Sequence, residues 1–445
     1  MRTFLQSNFV SQYGTLLVLA LLVIFCSVAT ISDQHPVDAG SGKAVAQHII
    51  DKFPQAHVLI VVRASQADLA FAKAIQERLA SADVKVLKTV SGEPRDVVEN
   101  IRKCGEQKIR LDLIATHYYT SQWPVLGERR LQEMARQFPS MSQVQVLRPS
   151  SYTWPTFLTR GNLLSVGNQM SVTAIIAIAM TMVIITAGID LSVGSLMALS
   201  GVLVASVVHL LVGENEPCMG ILFLSCLVAV LVTAGIGLFT GFMVTVFNIP
   251  PFIVTLALMQ TARGFAYKAA GGPSPVNIDS PAFHQLGAGS FLFGIPNPVV
   301  LMVLLYLVAY VLMKHTALGR YIYAVGGNLE AARLSGVPVK RVLLFVYVIC
   351  GLLAGLGGVM EASLFSVGNP NSGVGYELQI IAAVVVGGTS LFGGKGKVMG
   401  TLIGAIILAV IRNGMYLTKV DSYTQMVVFG LLILVAVLLD QLKKA

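Results

Sequence analysis

A few ionisable and hydroxyl-bearing residues sit where the chain is otherwise apolar. Asp190, in Thr186-Ala-Gly-Ile-Asp-Leu-Ser-Val-Gly-Ser195, is the only charge across a long apolar stretch. An ionisable residue in such surroundings faces a cavity, a partner or water. It can also cap the helix that follows, accepting from backbone N–H groups near Val193. Glu361, Tyr376 and Glu377 bracket the polar loop Ser366-Val-Gly-Asn-Pro-Asn-Ser-Gly-Val-Gly375. Asn, Ser and Tyr groups there can hydrogen-bond a hydroxyl-rich solute, and they equally suit a solvated loop. These four residues are the candidate lining of a solute pathway.

Other stretches resemble chemistry and fail its tests. Val385-Val-Gly-Gly-Thr-Ser-Leu-Phe-Gly-Gly-Lys-Gly-Lys397 suggests a phosphate-binding loop. A Walker A motif needs Gly where Thr389 stands, and Ser or Thr where Gly396 follows Lys395. The segment reads instead as a turn between two apolar runs, and no ATP site or other cofactor site is expected on this chain. G-x-S-x-G and HExxH are absent, and His209 and His284 have no sequence-near partner set, so no enzymatic activity is expected. Cys26, Cys104, Cys218, Cys226 and Cys350 form neither a CxxC nor a zinc spacing. No metal site and no nucleic-acid motif is read here.

The stretch from Lys314 to Arg341 is polar and basic between apolar runs. Glu330-Ala-Ala-Arg-Leu-Ser-Gly336-Val-Pro338 predicts a short helix, favoured by Ala and Leu and ended by Gly336 and Pro338. A small-residue helix under a membrane bundle fits a groove on another protein. Lys314, Arg320, Arg333, Lys340 and Arg341 mark the loop as cytoplasmic, because short loops rich in Lys and Arg stay inside.

The elements that must position these residues are membrane helices. The 445-residue chain is 55% hydrophobic and only 12% charged, and its mean hydropathy is +0.74. Soluble domains carry about 25% charged residues, so the repeated apolar runs describe a polytopic membrane protein. The run Thr15 to Ile31 reads as an uncleaved first span, with a cleaved signal peptide, suggested by the small residues Ser27-Val-Ala-Thr, as the alternative. Further spans are expected at 166–187, 193–213, 219–247, 251–271, 295–314, 342–365, 376–392, 397–416 and 423–441, about ten in all. Loop 315–341, Lys395, Lys397, Lys443 and Lys444 then lie inside, and both termini are cytoplasmic. Gly237 with Gly241, Gly351 with Gly355, and Gly396, Gly400 and Gly404 are spaced for close helix contact in lipid.

Roughly half of the charges fall between Asp33 and Pro155. There the period alternates between strand and helix: strands at 57–62, 84–88, 111–116 and 144–147, helices at 66–82, 94–106 and 126–137. Such alternation predicts a parallel sheet covered by helices. The expected organisation is residues 1–32 as the first helix, 33–155 as an extracytoplasmic α/β insert, and 156–445 as an all-α membrane bundle. The insert has no GxGxxG after its first strand.

From about Pro155 onward the chain resembles the ribose-type permeases of bacterial ATP-binding-cassette importers. The resemblance is carried by TAGIDLSVGSLMALSG (186–201), LGRYIYAVGGNLEAARLSGVPVKR (318–341), GYELQIIAAVVVGGTSLFGGKG (375–396) and GTLIGAIILAVIRNGM (400–415). With the first span it covers roughly two thirds of the chain. It implies one of two permease chains forming a pore in the bacterial inner membrane, the second being an identical copy or a paralogue. It implies a periplasmic sugar-binding protein that delivers a monosaccharide. It also implies two cytoplasmic ATPase subunits docked on the short helix at Glu330, Ala331, Ala332, Arg333 and Gly336. The departure is the insert, whose stretch 56–90 looks like one lobe of a sugar-binding protein. A lone lobe cannot close on a ligand as two lobes do, so the analogy favours docking or tethering over an independent sugar site. Two rivals stand beside the sugar importer: a permease for a furanose-like signal, a nucleoside or an amino acid, and a membrane-anchored ligand sensor.

Overall fold

The computed structural model describes residues 8–141, 144–213 and 215–442; Lys443 and Lys444 lie outside them. Two compact units emerge, one of Met1–Thr30 with Pro155–Ala445 and one of Ile31–Trp154.

Helix α1 (Asn8–Ala29) opens the first unit. In the second unit β1 (Ile31–Gln34) is followed by α2 (Ala39–Lys52), a helix the strand-and-helix reading missed. Asp38 caps α2, its carboxylate accepting from the Ser41 N–H at 2.8 Å. Then come β2 (Val58–Val62), α3 (Gln66–Ala80), β3 (Val86–Ser91), α4 (Pro94–Glu106), β4 (Leu113–Ala115), α5 (Glu128–Gln137), β5 (Gln145–Leu147) and β6 (Tyr152–Pro155). The main sheet is parallel, in the order β3-β2-β4-β5. Every residue of β2 is buried, as expected of a central strand covered on both faces. Val58, Ile60 and Val62 join Ile49, Phe71, Ile75 and Leu79 on one face. Leu59 and Val61 join Val97, Ile101 and Met134 on the other. β1 pairs with β6, so the two ends of the unit are neighbours.

The helical unit resumes with α6 (Arg160–Ile185), α7 (Val193–Val212), α8 (Met219–Val246), α9 (Pro251–Ala270), β7 (Val276–Asn277), α10 (Pro281–Ala288) and α11 (Asn297–His315). It continues with α12 (Ala317–Gly327), α13 (Leu329–Leu334), α14 (Val339–Phe365), β8 (Val367–Gly368), α15 (Tyr376–Val386), α16 (Val398–Leu417) and α17 (Ser422–Leu442). Among the described residues six helices, α6, α7, α8, α11, α14 and α16, are long and apolar enough to cross a membrane. Helices α10 and α12 occupy segments expected to be loop.

Glycines set a close helix contact. Gly237 of α8 and Gly351 of α14 face each other: a Cβ on Gly351 would lie 3.1 Å from the Gly237 Cα. With no apolar solvent penalty to drive helices together in lipid, such close backbone approach is a main source of association.

The span expected at 376–392 is corrected. α15 has 11 residues, about 16 Å of helix, against a hydrocarbon core of about 30 Å. Loop 366–375 accounts for the rest. It does not project from the end of α14 but folds back along α7. A Cβ on Gly368 would meet Ala205 Cβ at 3.0 Å, and one on Gly373 would meet Met197 Cε at 2.8 Å. Ser200 on the same face of α7 donates to the Gly355 carbonyl of α14 at 2.7 Å. The loop therefore returns past the end of α14, and α15 starts inside the bundle.

Candidate functional site at the broken helix

Two left-handed glycines let the returning loop turn into α15: Gly373 has φ +70° and Gly375, the N-cap, has φ +79°. Its exposed backbone groups must find partners away from water. Arg263 of α9 supplies them, donating through Nη1 to the carbonyls of Pro370 at 2.5 Å and Ser372 at 2.6 Å. Tyr267 donates to Asn371 Oδ1 at 2.8 Å, and Asn371 donates to the Pro273 carbonyl at 2.8 Å.

Three of the four expected pathway residues gather here. Ser372 lies beside Glu361, and the Arg263 charge faces both Glu361 and Glu377. Glu377 lies in the first turn of α15, against the first turn of α7: a Cβ on Gly194 would come 2.8 Å from its Oε2. Tyr376 lies between the charges of Glu361 and Arg412. Loop 366–375 is thus no freely solvated loop, since Gly368, Pro370 and Gly373 are buried.

Asp190 is held separately. It is buried, and its Oδ1 accepts from the Ser192 backbone N–H at 2.9 Å and the Ser192 hydroxyl at 2.6 Å. The bond falls on the N-cap residue Ser192, next to Val193, making a local turn that aims the start of α7. None of its hydrogen bonds among the described residues reaches Glu361, Tyr376 or Glu377.

The short helix read around Glu330 is α13, six residues long. Its N-cap Asn328 accepts from the Ala331 N–H at 3.0 Å, and Gly336, at φ +79°, ends it. Glu330, Ala331, Arg333 and Gly336 are exposed, and Leu334 is 87% exposed. Ala332 is different. It is 4% exposed and packs into the core of the helical unit. Ala332 therefore seats the helix and offers no surface to a partner, which corrects its placement among the docking residues.

The glycine-rich segment 387–397 is a packed turn. Gly394 N–H donates to the Ile185 carbonyl at 2.9 Å, and Tyr323 donates to the Gly396 carbonyl at 2.8 Å. It ties the ends of α6, α12 and α15 together by backbone contact. Gly387, Gly393, Gly394 and Gly396 are explained by close approach, and Gly388 by its φ of +89°, without any phosphate.

Arg263 and Arg412 are the residues the sequence reading passed over. Their signal was present: each is a charge inside a run read as a span, at 251–271 and 397–416. Among the described residues no group of three His, Cys, Asp or Glu side chains is placed to hold a metal ion.

Residues 162–437 match the family described as branched-chain amino acid transport system / permease component. The chain is 46% identical over 294 residues to the ribose import permease protein of Escherichia coli, covering 65% of this chain and 88% of that one. It is 42% identical over 292 residues to the ribose import permease protein of Bacillus subtilis (65% and 88%). It is 39% identical over 296 residues to the L-arabinose ABC transporter permease protein of Azospirillum brasilense (66% and 84%). No solved structure matches the chain. A matched segment that takes in loop 366–375, the broken helix and the exposed α13, in a polytopic helical membrane protein without catalytic chemistry, makes this chain a member of that family of transport permeases.

Proposed function

We propose that the chain is the permease subunit of an ATP-driven importer for a monosaccharide, a ribose-like sugar. It would form the translocation pathway in the bacterial inner membrane, crossing about ten times with both termini cytoplasmic. Residues 33–155, the α/β segment, would be periplasmic. Two cytoplasmic ATPase subunits would bind ATP and grip α13 through Glu330, Ala331, Arg333 and Gly336. A periplasmic sugar-binding protein would deliver the solute, and a second permease chain would complete the pore. Asp190, Glu361, Tyr376 and Glu377 would contribute to the pathway.

The observation that carries the substrate class is the 46% identity to a ribose import permease across most of that protein's length. The family's own description supports a second reading, import of an amino acid or another small solute. The mechanism is the same in either case: the permease makes no covalent bond, and it converts differential binding of its partners to two conformations into movement of solute.

The docking reading is supported by an exposed six-residue helix that ends on an apolar side chain, Leu334. Glu330→Lys and Gly336→Val are the test, in complexes purified in mild detergent with whatever subunits come down and identified by mass spectrometry. Valine at Gly336 meets no atom within 4 Å but must adopt φ +79°, so it distorts the turn without filling a core. Both variants should uncouple ATP hydrolysis from sugar uptake. Wild-type, sugar-stimulated hydrolysis in both would overturn the docking role.

A further inference from the structure

A cavity of about 50 Å³ lies among α6, α15, α16 and α17. Its polar lining is Gln169, Thr173, Gln379, Arg412 and Asn413, and its apolar lining includes Leu408 and Phe429. Gln379 belongs to the first turn of α15, one turn beyond Tyr376.

Arg412 is the residue that calls for an explanation. It sits within α16, an apolar helix long enough to cross a membrane. A charge in such a helix is costly unless something meets it. Among the described residues no carboxylate pairs with it. Its guanidinium lies over the Phe429 ring at 5.6 Å, on the cavity wall. The neighbouring Asn413 is locked by a reciprocal amide pair with Asn162, at 2.9 and 2.8 Å, which fixes this part of α16 against α6. Arg412 is thus held at the cavity with most of its five donors uncommitted.

The lining also excludes ligands. It contains no carboxylate, so an ammonium group finds no counter-charge and a zwitterionic amino acid meets half of the partners it needs. Hydroxyl groups both donate and accept, as the amides of Gln169 and Gln379 do, and a guanidinium donates to several oxygens at once. Leu408 and Phe429 suit the C–H face of a sugar ring.

We propose that this cavity is a solute-binding station within the permease, that its occupant is a neutral monosaccharide, and that Arg412 and Gln379 select it. The proposal rests on the sugar-importer reading. At about 50 Å³ the cavity has room for a few waters, each needing about 10–15 Å³ of such space, and not for a sugar ring. The station must therefore widen from the state seen in this structure to admit sugar.

The test uses the assembled importer in proteoliposomes, with ribose as the probe. A delivering protein governs the apparent affinity, so the informative quantity is sugar moved per ATP hydrolysed. Gln379→Leu and Arg412→Met should each lower that ratio about tenfold, the effect of losing one well-placed hydrogen bond. Arg412→Lys should recover part of it. A separate readout does not depend on turnover: in Thr173→Cys, ribose should slow reaction of the new thiol with a small reagent, and mannitol should slow it less. Ratios within twofold of wild type, together with no protection of that introduced thiol by ribose, would overturn the station. A wild-type complex that moves no pentose or hexose would instead overturn the sugar reading on which it stands.

Discussion

In the α/β unit Asp68 is fully buried, and a charged side chain meets it: Arg63 Nε donates to Oδ2 at 2.7 Å, while the His117 Nε2 lies 2.9 Å from the same oxygen. In the helical unit Asp190 is buried just as deeply, yet no charge meets it. It accepts from Ser192 within its own turn, with the Cys350 thiol as a further neutral partner. The difference follows from what lies next to each carboxylate. Arg63 is 42% exposed, so its charge reaches Asp68 while staying in contact with water. A charged partner for Asp190 would have to be fully desolvated too, and neutral dipoles are the less costly solution. Arg263 is met in both ways: it donates to carbonyl oxygens of loop 366–375, and the Glu361 and Glu377 charges face it.

The two units also fill their interiors differently. The α/β core alternates along β2, with Ile60 on one face and Val61 on the other. The helical unit relies at α8 and α14 on having no side chain at all, at Gly237 and Gly351.

Gly351→Val breaks the second half of this contrast and has the largest expected effect. Its Cβ would already crowd Gly237, and two further methyl groups leave no room. The cost is about 3 kcal/mol or more. Full-length protein in detergent should lose its monodisperse peak, and hydrogen exchange should rise across 219–246 and 339–365. The chain's two tryptophans, Trp123 and Trp154, both belong to the α/β unit, so the fluorescence melting midpoint should stay in place.

Asp68→Asn tests the first half. It leaves Arg63 and the buried His117 without their carboxylate, at about 3 kcal/mol. The tryptophan melting midpoint should fall by about 10 °C, while exchange across α8 and α14 stays as in wild type. A midpoint within 2 °C of wild type would show the pair to be dispensable.

The smallest expected effect is on pH. Burial pushes the Asp68 carboxyl up, but hydrogen bonds from Arg63 and Ser65 and the charges of His117 and Arg63 outweigh it and hold it at about 2. Ionised Asp68 can only accept, so His117 Nε2 carries the proton between them. Burial pushes the His117 imidazole below its ordinary value, with the Asp68 charge opposing. A histidine whose folded value is depressed stabilises the fold above its unfolded value, about 6.5, and that contribution fades as pH falls through that value. Asp68 keeps its contribution down to about pH 4, where the unfolded carboxyl begins to protonate. Between pH 7.5 and 5 the tryptophan midpoint should therefore fall. His117→Gln should flatten the slope.

Much of this was legible along the chain because the signal is local. His57-Val-Leu-Ile-Val-Val62 reads as a buried strand from six consecutive residues, and β2 occupies five of them. The failed phosphate loop is decided by Thr389 and Gly396 alone, and the short helix at Glu330 by its own composition and Gly336. Helix α2 was not legible, because Gly40-Ser-Gly42 in its first turn are weak helix formers and the helix is held by Asp38 and by packing of Val45, Ala46 and Ile49. The site was legible in part: Glu361, Tyr376 and Glu377 were found as polar residues in apolar surroundings, whereas Arg263 and Arg412 needed their neighbours to be seen.

Sequence by itself determined that the chain is a multi-helix membrane protein with an α/β segment, because hydropathy and its period are properties of adjacent residues. Only the tertiary structure decided that loop 366–375 turns back into the bundle, that α15 is a half-length helix, and that Ala332 faces the core. The physical reason is separation along the chain. The loop's carbonyls are met by Arg263, 107 and 109 residues away, and no local pattern encodes a partner at that distance.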